Sequence, residues 1–176
     1  RQWTEENPPL WGPRGIVVAA DGTVFVTDTG NKRVLAYSPE GQRLRAWGAD
    51  GSQPGEFIEP VGIDVSPDGK IVVADTGNRR LQFFEPDGKF VKEWRVHGWS
   101  EFYSEPYIAA RGEEVYITDS YEHRFSRYKG SFQMTGLWSG KSTMNRPIGI
   151  AVGPDGAVYL SDTMNHRIQK FVVGSE

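Results

Sequence analysis

Short apolar runs alternate with polar turns along the whole chain, and the runs recur in a fixed order. RGIVVA at Arg14 to Ala19, VGIDV at Val61 to Val65, YIAA at Tyr107 to Ala110 and IGIAV at Ile148 to Val152 open four similar segments. Each is followed by a second run, TVFVTD, KIVVAD, EVYITD or AVYLSD, which ends on aspartate. Runs this short, rich in β-branched and aromatic residues and bounded by glycine and proline, predict strands. Between them stand Asp21-Gly22, Asp68-Gly69 and Asp155-Gly156 in three of the segments. Asp-Gly in this setting predicts a hairpin turn with positive φ at both residues.

Five residues after each aspartate an arginine opens a third strand, as in RLQFFE and RIQKFV, and a fourth strand ends on Trp47, Trp94 or Trp138. Pro13, Pro60, Pro106 and Pro147 begin the segments, at spacings of 47, 46 and 41 residues. A period in the forties with four strands per copy predicts an all-β chain of repeated, meandering four-stranded antiparallel units. The repeats run over about 13–48, 60–94, 106–138 and 147–173, within a single domain of residues 1–176. The last repeat stops after its third strand, while Trp3 stands ten residues ahead of Pro13, in the register of the other repeat tryptophans. Residues 1–3 are therefore expected to supply an outer strand, either completing the last unit and removing its open edge or belonging to a preceding one. Completion between two chains is the expected route to an oligomer.

The composite pattern P-x-G-I-x-V-x-x-D-G-x-V-Y-V-x-D-T-x-N-x-R-I-Q-x-F resembles the NHL repeat, best in Pro60 to Phe84 and Pro147 to Phe171. Its signature falls on Asn31-Lys32-Arg33-Val34, Asn78-Arg79-Arg80-Leu81 and Asn165-His166-Arg167-Ile168. The resemblance covers nearly the whole chain and implies a β-propeller whose four-stranded units are its blades. It is specific for fold and weak for function, because one propeller scaffold hosts unrelated activities.

At 176 residues the chain suffices for one ordinary domain, and 21 glycines with 11 prolines suit many tight turns. A net charge of -3 gives no bulk attraction to nucleic acid or lipid phosphates. With no cysteine, disulfides, thiolate nucleophiles and cysteine-ligated zinc are excluded. No apolar run reaches the roughly 20 residues of a membrane span, so no membrane insertion is expected of this segment.

Asp28 and Arg33, Asp75 and Arg80, Asp119 and Arg124, and Asp162 and Arg167 repeat at one spacing in all four copies. A catalytic pair is needed once, so four copies point to structural ion pairs fixing the corner between the second and third strands. Asn31, Asn78 and Asn165 are expected to take the left-handed turn conformation there. His123 and His166 share a position with Lys32 and Arg79, which reads as a solvated loop site. The resemblance includes a peptide α-amidating lyase known for metal-assisted chemistry, yet these histidines make a poor zinc set. Asp64 is likewise alone at a position that carries Val17, Ala109 and Ala151 elsewhere, too few oxygens for calcium. No metal and no cofactor are expected.

The third copy breaks the pattern. It replaces Thr-Gly-Asn by Ser120-Tyr121-Glu122, lacks the Asp-Gly turn and is fed by WRVHGWSEFYSEP, Trp94 to Pro106. In a propeller blade these connections share one face, so Trp99, Tyr103, Tyr107, Tyr121, His97 and His123 form the candidate binding set, aromatic surfaces with polar rims. Phe102 matches Phe57 of the preceding connection and reads as packing. The expected function is non-catalytic recognition or scaffolding of a protein or carbohydrate partner. A propeller-type metal-dependent lyase or lactonase is the first alternative and RNA binding the second. Nucleic acid is not the expected partner, since the repeated arginines face aspartates. The resemblance to bacterial modules with Pro-Gly-Glu-Phe connections implies an extracytoplasmic setting.

Overall fold

In the computed structural model, which describes residues 2–96, 99, 105–130 and 133–173, the apolar runs form fifteen antiparallel strands. They fall in two compact units, Arg1–Gly98 and Trp99–Glu176. The first unit holds β1 (Pro13–Val18), β2 (Val24–Asp28), β3 (Arg33–Tyr37) and β4 (Arg43–Trp47) in one sheet, and β5 (Pro60–Val65), β6 (Ile71–Asp75), β7 (Arg80–Phe84) and β8 (Phe90–Arg95) in the next. The second unit holds β9 (Ile108–Arg111), β10 (Glu114–Asp119), β11 (Arg124–Lys129) and β12 (Gln133–Ser139), then β13 (Pro147–Val152), β14 (Val158–Asp162) and β15 (Arg167–Phe171). Every sheet is a meander in chain order, the blade topology.

The Asp-Gly hairpins differ from expectation in one respect. Gly22, Gly69 and Gly156 have φ of 84°, 82° and 82°, but the aspartates before them keep negative φ. Ala19 N donates to Thr23 O and Gly22 N to Ala19 O, so the turn is a type I turn followed by a left-handed glycine. The aspartate contributes its side chain instead: Asp21 Oδ1 accepts from Thr23 N at 2.9 Å. That bond stabilises a right-handed aspartate and removes the need for positive φ there.

In the first unit, Phe25, Val34 and Ala36 of one sheet pack against Ile71, Val73 and Phe84 of the other and against Phe57 of the connection between β4 and β5. Trp47 sits between them, its ring 6.1 Å from Phe25 and 5.8 Å from Phe84. Each such buried aromatic contributes about 1.5–3 kcal/mol of transfer free energy. Thr27 Oγ1 joins the sheets by donating to Val61 O at 2.7 Å while accepting from Gly15 N at 2.8 Å. Gly15 allows this approach, because a Cβ there would run into Val61 O and Ile63. The second unit repeats the joint: Thr118 Oγ1 donates to Ile148 O at 2.9 Å, above a core of Tyr116, Phe125, Met144, Val158 and Leu160.

Completion of the last sheet by the N-terminal strand is not what the structure shows. That sheet has three strands among the described residues, and residues 2–12 contain no strand. Trp3 nonetheless packs as its register suggests. Its ring lies 5.6 Å from Tyr37 and over Gly41, as Trp47 lies 5.8 Å from Phe84 and over Gly88. Glu5 anchors the segment by accepting from Tyr37 Oη at 3.0 Å and from Arg43 at 2.8 Å.

Candidate functional site

The repeated corner is a saturated hydrogen-bond hub. Asp75 Oδ2 accepts from Arg80 Nε at 2.9 Å and from Asn78 Nδ2 at 2.8 Å, and its Oδ1 accepts from Ile58 N at 3.0 Å. Asp28 is served in the same way by Arg33, Asn31 and Trp11 N, and Asp162 by Arg167, Asn165 and Asn145 N. Asp119 takes Arg124 at 3.0 Å and the Glu122 amide at 3.1 Å. These carboxylates are buried, so the donors take the place of the water each has lost. Burial by itself would raise the Asp162 carboxyl, but the Asn145 amide, Asn165, Arg167 and Gln169 outweigh it and hold it below the ordinary carboxylate value. The left-handed residue of each corner is not the asparagine, whose amide is committed to the aspartate. Lys32, Arg79, His123 and His166, one position later, carry φ of 52–55°.

What varies is the residue two after the aspartate. In the first unit it is Gly30 or Gly77, and a Cβ at either would run into Trp11 or Ile58 of the incoming connection, which fill the corner. In the second unit the same position holds Tyr121 and Met164, with exposures of 57% and 52%. The incoming residue matching Trp11 and Ile58 is Asn145, and it keeps the corner bond, Met164 N donating to Asn145 O at 3.0 Å. A small polar residue under an outward side chain leaves the corner unfilled. The result is an open cavity of about 770 Å³ that both Tyr121 and Met164 line, a size suited to a ligand.

Four further groups give this cavity its chemistry. Lys141 and Arg146, exposed on the connection between β12 and β13, line it opposite a single carboxylate, Glu122. None of the three side chains forms an ion pair among the described residues. His123 Nδ1 accepts from Arg146 N at 3.0 Å, so the neutral ring carries its proton on Nε2. Arg146 itself has φ of 50°, where the corresponding residue of the first repeat is Gly12 with φ of 61°.

Of the binding residues expected from sequence, Tyr121 and His123 line this cavity. Tyr107 is half-buried and engaged with Thr118, its amide donating to Oγ1 at 2.9 Å. Trp99 is 5% exposed, so its ring belongs to packing rather than to an open surface. Tyr103 and His97 lie outside the described residues. Lys141, Arg146 and Met164 were not among the expected residues, although the glycine-to-methionine exchange and the exchange of Glu59 and Glu105 for Arg146 before the repeat proline were there to be read. Among the described residues no group of three or more His, Asp or Glu is placed to hold a metal ion. No helix of the described residues is long and apolar enough to cross a membrane.

The NHL repeat model matches residues 10–37, 57–84 and 144–171, passing over the irregular third copy. No curated protein matches the sequence. Among solved structures, virginiamycin B lyase from Staphylococcus aureus is similar in fold, with a TM-score of 0.66 at 19% identity over 91% of this chain and 55% of its own. Myxococcus xanthus glutaminyl cyclase gives 0.65 at 19% identity over 92% of this chain and 75% of its own. Kuenenia stuttgartiensis hydrazine synthase gives 0.64 at 17% identity, 93% of this chain and 50% of its own. The chain thus spans about half the length of the lyase. At these identities the likeness is one of fold. The aspartate-arginine corner written four times, the meandering sheets and the three matched repeats make this chain a member of the NHL-repeat β-propeller family.

Proposed function

We propose that the chain is a non-catalytic recognition module that binds a protein or carbohydrate partner through the cavity of the second unit, with Tyr121 as its anchor. One observation carries this reading. The repeat position that is glycine, covered by Trp11 or Ile58, in the first two sheets becomes Tyr121 and Met164 in the last two, and both line one cavity. An aromatic ring with few rotamers beside a polar rim is what interfaces use to gain area at low entropic cost. The aspartates and arginines that resemble catalytic pairs are consumed by the corner hubs, which supports binding over turnover.

The test is an array of defined peptides and oligosaccharides probed with the full 176-residue chain and with Tyr121→Ala. Loss of an aromatic anchor costs about 2 kcal/mol, roughly thirtyfold in affinity. The thermal midpoint should stay unchanged, because Tyr121 is exposed. Equal binding by Tyr121→Ala would move the site elsewhere. Consumption of a bound ligand would replace recognition by the lyase alternative.

A further inference from the structure

Resting on that reading, the geometry points to the class of partner: a carboxylate-bearing peptide, engaged by Lys141 and Arg146 while Tyr121 and Met164 cover its apolar part. Arg33, Arg80, Arg124 and Arg167 are bound to buried aspartates, and Arg14, Arg43, Lys70 and Lys170 have carboxylate partners of their own. Lys141 and Arg146 line a cavity with no ion pair among the described residues. Their connection, GKSTMNRP, contains no acidic residue, whereas QPGEFIEP has two glutamates at the corresponding place.

The backbone supports a placed rather than incidental arginine. Left-handed φ is unfavourable for a non-glycine residue. The first repeat avoids that cost with Gly12, while Arg146 bears it and is tied by its amide to His123 Nδ1. His123 is itself left-handed, with φ of 52°. One hydrogen bond therefore couples two left-handed residues across the cavity and fixes the start of the arginine side chain. With Nδ1 occupied, the neutral imidazole keeps Nε2–H as a donor suited to an oxygen acceptor.

Two cations with one donor histidine match one or two carboxylates, to which a guanidinium binds through two parallel N–H···O bonds. They fall short of the row of cations that a phosphodiester chain requires, and Glu122 in the lining opposes a polyanion further. Tyr121 and Met164 add an adaptable apolar surface suited to side chains. A peptide with acidic residues or a free C-terminal carboxylate satisfies both halves of the cavity.

The experiment is fluorescence anisotropy of the full chain with a labelled glutamate-rich decapeptide carrying one leucine, its lysine-rich counterpart, a neutral glucan and a single-stranded oligouridylate. The variants are Lys141→Met, Arg146→Gly and Tyr121→Ala. Arg146→Gly is chosen because glycine suits the φ of that position, so its fold is retained. The acidic peptide should bind, weaken with added salt, and lose at least about tenfold in affinity in Lys141→Met and in Arg146→Gly. The lysine-rich peptide should not bind. Unchanged affinity in both charge variants overturns the proposal. So does selective binding of the glucan through Tyr121, which would leave the recognition reading intact and the peptide assignment wrong. Preference for oligouridylate overturns it in favour of a nucleic-acid partner. If Tyr121→Ala changes nothing while both charge variants weaken the acidic peptide, the cations hold the carboxylate and the tyrosine anchor, hence the broader reading, fails alone.

Discussion

Arg80 Nε lies 2.9 Å from Asp75 Oδ2 with the two side chains 4% and 0% exposed, whereas the equivalent Arg167 and Asp162 meet at 2.8 Å with the arginine 49% exposed. Identical residues at identical spacing therefore differ in how much water competes for the bond. Arg80 also donates to the carbonyls of Ser52, Gln53 and Glu56, sealing the incoming connection. Removing it leaves the buried Asp75 carboxylate without its cation, with only the neutral donors Asn78, Gln82 and the Ile58 amide.

Arg80→Ala should destabilise the protein by about 3–5 kcal/mol, the usual cost of breaking a buried charge pair by removing one partner. Arg167→Ala should cost no more than about 1–2 kcal/mol, because water replaces the lost donor. Urea unfolding of the two variants is the comparison. Equal losses would mean that the hub works through local geometry alone and that burial contributes little.

The close approach at Gly15 gives a second pair. Gly15→Ala places a methyl against Val61 O and Ile63 of the neighbouring sheet, a backbone neighbour that cannot move aside. Its cost should be about 1–3 kcal/mol of overpacking. Gly149→Ala, the repeat equivalent, meets only the Ser161 hydroxyl at 3.0 Å. The smaller effect should be visible as a higher thermal midpoint for Gly149→Ala than for Gly15→Ala.

The fold was legible because each repeat writes its turns and strand ends in residues with few alternatives. Aspartate five before arginine specifies the corner, and the glycine between them specifies how closely the incoming connection packs. The ring of Trp3 was placed by the same register, yet its backbone was not, since residues 2–12 run without a strand. The candidate site was half legible. Tyr121 stands out as an aromatic replacing glycine, but Met164 and Arg146 make the cavity only through Asn145, a small residue where the first two copies carry Trp11 and Ile58. A cavity is an absence of side-chain volume between elements distant in sequence, and no local pattern marks it. Trp99 illustrates the reverse: its irregular position suggested an exposed ligand contact, and it is buried.

Titration should show two limbs. Asp162 titrates below its ordinary value of 3.8 when folded, so its stabilising contribution is complete above that value and is lost as pH falls through the lower folded one. Tyr116 is pushed up from 10.0 to about 12 by burial and by donating to Glu114. Its contribution is complete below pH 10.0 and is lost as pH rises toward about 12. Urea midpoints measured across pH should hold a plateau between these limits. Tyr116→Phe, which has no proton to lose, should make the alkaline limb shallower, and an unchanged limb would assign it to other tyrosines.

The last corner separates backbone strain from side-chain bonding at adjacent residues. His166 is exposed with φ of 53°, and its amide donates to Thr163 O at 3.2 Å. Glycine keeps that amide and relieves the left-handed strain, against a larger loss of chain entropy on folding. His166→Gly should therefore be neutral or stabilising by up to about 1 kcal/mol. Asn165→Gly has no strain to relieve and removes the 2.9 Å bond from Nδ2 to Asp162 Oδ2, at a cost of about 1–3 kcal/mol for a hydrogen bond to a charged group. Opposite signs in chemical unfolding would show that the corner's asparagine acts through its amide and the following residue through its backbone. Destabilisation of similar size in both would mean that the imidazole, and not the φ of that position, holds the loop.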